Sequence, residues 1–121
     1  MTVPAPSSSH PPNTKRSAGK LLVTSLVLAG LQLADFMVWS RAFDRGHSQP
    51  ERVAIYLATL PAFLANAGTL RLTLLAILCG AVGTAFAFPV AIRCGRPLAI
   101  LGWAALVANA LFVAWHLFTL M

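Results

Sequence analysis

Acidic residues are almost missing from this chain. Its 121 residues carry three, Asp35, Asp44 and Glu51, against nine lysines and arginines, and charged residues of either sign make up 10%. A soluble domain carries roughly 25%, so this surface is not built for water. Few acids also leave little acid–base chemistry. Asp44 and Glu51 fall in one polar loop and read as a solvated pair, not as a catalytic dyad. Cysteine is scarce as well: Cys79 and Cys94 are the whole set. On one continuous helix they would stand roughly 22 Å apart, too far for a disulfide, so two free thiols are expected. The histidines, at 10, 47 and 116, have no metal-ligand spacing among themselves or with the cysteines. No Gly-rich phosphate loop and no Ser-His-Asp set is present. With no group of catalytic side chains to assemble, a non-enzyme is expected, with no catalytic residue, cofactor or metal.

What the chain has instead is long uncharged runs. Leu72 to Ile92 and Pro97 to Met121 contain no charge, and Leu21 to Ser40 contains only Asp35. A bilayer core takes about 20 apolar residues per helix. All three runs reach that length. The expected fold is therefore an all-α integral membrane protein, with spans at about 21–40, 72–92 and 97–120 forming one membrane domain over residues 20–121. The formal net charge is +6. In a soluble protein this would raise nucleic acid, but here the cations flank apolar runs and no basic face alternates with stacking aromatics. No nucleic-acid partner is expected; the lipid bilayer is.

Residues 1–19 read as a disordered basic tail. Pro4, Pro6, Pro11, Pro12 and the Ser7-Ser8-Ser9 run offer too little apolar area to offset ordering entropy. Four prolines argue against an amphipathic transit helix. Asp35 would interrupt the apolar core of a signal peptide cut near Ser40-Arg41-Ala42, so an uncleaved anchor is expected.

Residues 53–68 are uncharged but hold Pro61 in their middle, which disfavours one continuous helix. Asn66-Ala67-Gly68 reads as a stop or turn. The stretch before it, about 53–65, is short for a span, so a short interfacial or re-entrant helix is expected, with a fourth span as the alternative.

The hinge Arg93-Cys94-Gly95-Arg96 is so short that the second and third spans must form an antiparallel hairpin. Pro97 suits a helix's first turn, and Trp39, Trp103 and Trp115 suit interfaces. With three spans, the tail and hinge share a side with Lys15, Arg16, Lys20, Arg93 and Arg96. The other side has Arg41, Arg45, Arg52 and Arg71. Counting cations places the N-terminus in the cytoplasm and the protein in the cell (inner) membrane.

Small residues recur at fourfold spacing: Ala76, Gly80, Thr84 and Phe88; Cys79, Gly83 and Ala87; Ala104 and Ala108; Ala105 and Asn109; Ala110 and Ala114. That spacing lets helix backbones approach closely. Packing within the chain is the expectation for Ala76, Gly80, Gly83 and Ala87, and self-association the alternative. Asn109, near the middle of its span, is expected to bond another helix.

Charged residues inside a bilayer are costly and usually paired. Asp35 and His116 each lie about 7 Å inside the same end of their spans. Gln32 is one turn deeper than Asp35, and Arg71 opens the second span at that end. The expected arrangement is an intramembrane cluster of Gln32, Asp35, Arg71 and His116, with Asp35 paired to Arg71. It reads as a register-fixing contact, or alternatively as a proton or ion path.

These residues carry a resemblance. The chain resembles, over about residues 21–121, a family of small three-span membrane proteins known only as a domain of unknown function. The likeness lies at Leu31-Gln32-Leu33-Ala34-Asp35, Gln49-Pro50-Glu51, Arg71 and Val113-Ala114-Trp115-His116-Leu117. It departs in the loop, where the family tends to have Asn-Pro after the Glu and this chain has Pro50 before Glu51. The resemblance implies topology and no activity. The function expected is a small non-catalytic polytopic membrane protein, an accessory subunit or packing partner within a homo-oligomer or larger membrane complex. The alternatives are a holin-like oligomeric pore former and a small proton-coupled transporter.

Overall fold

The computed structural model describes residues 2–5, 13–43 and 46–120, with the side chains of residues 13 and 14 set aside. Its regular structure is helical throughout. Helix α1 covers Asn13–Ala42, α2 Gln49–Thr59, α3 Ala62–Ala65, α4 Thr69–Arg93 and α5 Arg96–Leu120. Three of these, α1, α4 and α5, are long and apolar enough to cross a membrane. At 1.5 Å per residue, the 25 residues of α4 and of α5 extend about 37 Å, enough for a hydrocarbon core of about 30 Å. This is an all-α membrane protein.

Helix α1 begins at Asn13, seven residues inside the stretch expected to be a tail. Lys and Arg are good helix formers, and no proline follows Pro12 in this stretch, so the basic segment Lys15 to Lys20 continues the apolar run as helix. Residues 6–12 of the tail, and Asp44 and Arg45 of the polar loop, lie outside the described residues.

The loop ends in a capping box. Ser48 is the N-cap of α2, and both its backbone N–H and its hydroxyl donate to Glu51 Oε2, at 2.6 and 2.8 Å. The helix therefore starts at Gln49, earlier than the apolar pattern alone implies. Pro61 splits the stretch as expected: Leu60 and Pro61 are extended, and α3 is a single turn beyond them. Gly68 then takes φ +80°, a left-handed backbone that glycine reaches without a Cβ clash. This turn launches α4, which runs through Pro89 to Arg93.

Helices α4 and α5 form the most extensive interface, and α1 packs across both. The bundle is stacked in three layers. Nearest the hinge is an apolar layer of Leu22, Ala87, Val90 and Ala105, flanked by Leu21, Cys94, Leu98 and Leu106. Gly102 permits a backbone crossing there, since a Cβ on it would stand 2.6 Å from the Ala91 nitrogen. The middle layer is polar. The third, at the C-terminal ends of α1 and α5, is aromatic: Phe36 lies edge-on to Trp115 at 5.3 Å and tilted to Phe112 at 6.4 Å.

Candidate functional site: two polar layers in the bundle

The middle layer is built on small residues. Gly80, Gly83 and Ala87 of α4 are buried, and Ala76 is half-buried. A Cβ on Gly83 would collide with the Asn109 carboxamide, and one on Gly80 would stand 2.5 Å from Val113 Cγ2 and 2.8 Å from Gln32 Oε1. Glycine at these two positions makes the space that polar side chains of α1 and α5 occupy. The fourfold stripe does not run on to Phe88, which is exposed.

Asn109 is fully buried. Its Nδ2 donates to the Ala105 carbonyl at 2.8 Å and to the Ser25 carbonyl and hydroxyl at 3.2 Å each. Its Oδ1 accepts from Gln32 Nε2 at 3.0 Å. Ser25 Oγ in turn donates to the Gly83 carbonyl at 2.8 Å. Four residues thus tie three helices across the middle of the bundle, and of their polar side-chain atoms Gln32 Oε1 alone is left without a partner. Gln32 therefore belongs with Asn109, not with Asp35. Ser25 joins the sequence-expected Gln32 and Asn109, and its place seven residues before Gln32 puts both on one face of α1.

The second polar group lies about a turn further along α1. Tyr56 of α2 donates through its hydroxyl to Asp35 Oδ1 at 2.5 Å, and its ring stacks on Trp39 at 4.4 Å between centroids. Burial and the Asp35 carboxylate together push the Tyr56 phenol above its ordinary value. His116 is 2% exposed, and its Nε2 stands 3.9 Å from Asp35 Oδ2, close enough for charge attraction but too far for a hydrogen bond. Asp35 itself is 23% exposed. The expected meeting of Asp35 with His116 occurs. The expected pairing of Asp35 with Arg71 does not: Arg71 is exposed, and among the described residues the carboxylate meets a phenol and an imidazole instead. Depth placed Arg71 at the right end of the bundle, but depth says nothing about which way round a helix a side chain lies.

Among the described residues no three His, Cys, Asp or Glu side chains gather as a metal site, and Cys79 and Cys94 are free thiols. The chemistry on offer is hydrogen bonding across helices and a proton-accepting pair near one end of the bundle. No protein-family model, no curated protein and no solved structure matches this chain.

Proposed function

We propose that this protein works by packing, as a non-catalytic accessory subunit of a membrane assembly. The observation that carries this reading is the middle layer. Ser25, Gln32 and Asn109 direct their hydrogen bonds to one another and to helix backbone, which is what a register lock needs and a conduit does not. The surface supports a partner helix: Gly30 of α1 has nothing within 4 Å of where a Cβ would stand, and Ala34, one turn on, is exposed beside Leu31 and Leu33. Small residues four apart on an open face suit helix association in lipid, with a second copy or with another subunit.

The test has two arms. A photo-crosslinking amino acid at Val27 or Leu33, used in native membranes, should give a discrete protein adduct that Gly30→Trp abolishes. The purified chain in vesicles should release no dye. Adducts to lipid alone, or dye release, would sink the proposal.

In this reading the chain sits in the cell membrane with its N-terminus and the Arg93 to Arg96 hinge in the cytoplasm, following the count of cations. Cys94 should resist an impermeant thiol reagent in intact cells, and strong labelling from outside would reverse the orientation.

A second reading, a proton-coupled carrier, has one observation in its favour: the buried His116 beside Asp35. Proton uptake by vesicles holding the protein, lost in Asp35→Asn, would establish it over the first.

A further inference from the structure

At the end of the bundle where α1 and α5 finish and α4 begins, a cleft of about 460 Å³ opens between these helices and α2. That volume falls within the roughly 300–1,000 Å³ of small-ligand clefts. Its walls are largely apolar and include Trp39, Phe43, Val53, Leu70, Trp115 and Phe118. Two wall threonines add no free hydroxyl, because Thr73 donates to the Thr69 carbonyl and Thr119 to the His116 carbonyl. The cleft exists because α2 folds back over the bundle end. The Tyr56 bond to Asp35 and the stack on Trp39 hold it there.

Two features give the surroundings of this cleft a positive character. The Arg52 guanidinium lies 5.0 Å over the ring of Phe43, a wall residue, and its Nε is buried without a hydrogen-bond partner. Among the described residues no carboxylate pairs with Arg52: Glu51 accepts from Ser48, and Asp35 accepts from Tyr56. The second feature is the start of α4. Thr69 and Leu70 line the cleft, and the N-cap Gly68 supplies no side-chain cap. The N–H groups of a first helical turn carry partial positive charge and receive anions.

We infer that the cleft is a binding site for one anionic phospholipid. An acyl chain lies among the aromatic walls, and the headgroup phosphate meets Arg52 and the first turn of α4. A planar guanidinium is weakly hydrated and matches phosphate oxygens in pairs. A zwitterionic choline lipid would bring its cation against the same positive surroundings, so the site discriminates by net headgroup charge.

Tryptophan quenching in detergent tests this. Trp103→Phe leaves Trp39 and Trp115, both in the cleft wall, as the reporters. Titration with brominated phosphatidylglycerol should quench them saturably at low mole fraction, and brominated phosphatidylcholine should need about fivefold more lipid. Arg52→Gln should remove that preference and leave phosphatidylcholine quenching unchanged. Thr73→Phe, which fills the cleft, should abolish saturable quenching by both lipids, with helicity by circular dichroism confirming that each variant is folded. Equal quenching by the two lipids, a preference that survives Arg52→Gln, or saturable quenching that survives Thr73→Phe would each overturn the site.

Discussion

The two polar layers differ in how completely they are used. In the middle layer, all contacts come from long helices that face each other across the bundle, and Gln32 Oε1 is the one buried polar side-chain atom there left unpartnered. In the end layer, one of the three contributing residues, Tyr56, comes from an 11-residue helix that does not span. There the His116 Nε2 is unpartnered and Asp35 is partly open. A buried polar group without a partner costs more than a satisfied one gains. The middle layer is thus arranged to hold three helices in one register. The end layer instead docks α2 onto the bundle through one side chain, the buried Tyr56, which bonds Asp35 and stacks on Trp39. That contrast assigns the register of the long helices to the centre and the docking of α2 to the rim.

The comparison breaks most sharply at glycine. Gly83→Leu puts a side chain where the Asn109 carboxamide sits, and overpacking of this kind costs up to about 3 kcal/mol. Gly30→Leu meets open space and should leave thermal stability in detergent unchanged. Equal stability for both variants would mean that the middle layer is not close-packed.

Next in size is Asn109→Ala. It removes three interhelical bonds, to Gln32 and to the Ser25 carbonyl and hydroxyl, besides the bond to Ala105 in its own helix. At about 0.6 kcal/mol for each interhelical bond, the loss should reach about 2 kcal/mol. Combined with Ser25→Ala it should fall short of the summed single losses, the mark of direct contact. Additive losses would show that the network does not act as a unit.

The end layer should respond more weakly, at about 1 kcal/mol for a single hydrogen bond. Asp35→Ala and Tyr56→Phe should be coupled in a double-mutant cycle. Asp35→Ala and Arg71→Ala should be additive within about 0.5 kcal/mol, because Arg71 is elsewhere on its helix. Coupling between Asp35 and Arg71 would restore the ion pair that residue depth alone implied.

The spans were legible because uncharged length is a one-dimensional signal. Their ends were less so, since the helix propensity of Lys15, Arg16 and Lys20 carries α1 past its apolar run, and Ser48 with Glu51 starts α2 ahead of its own. Within the site, depth was legible and azimuth was not. Asp35 and His116 share a depth and meet. Arg71 opens α4 at the same end and does not join them. Gln32 sits one turn deeper and finds Asn109. The heptad step from Ser25 to Gln32 was a usable sign of a shared face. Nothing along the chain places Tyr56 beside Asp35, because that contact depends on how Gly46, Pro61 and Gly68 fold α2 back.

The smallest effect concerns how α2 is fastened, and it has a pH signature. Glu51 is exposed, and the Ser48 backbone and hydroxyl donors hold its carboxyl below the ordinary value of 4.5. A lowered carboxylate pKa means that the capping box is intact above 4.5 and is lost only as pH falls through the folded value. Tyr56 behaves oppositely. Its phenol is raised, by burial first and by Asp35 second, so its bond to Asp35 persists from neutral into alkaline solution and fails only above the ordinary tyrosine range. The cap that starts α2 and the bond that docks it on α1 therefore give way at opposite ends of the pH scale, and both are intact between them. The Ser48 amide resonance in detergent-solubilised protein reads the acid limb, since that N–H donates to Glu51. Its titration midpoint should fall below 4.5, and Glu51→Gln should remove the transition. A midpoint at or above 4.5 would mean that the carboxylate gains nothing from the cap.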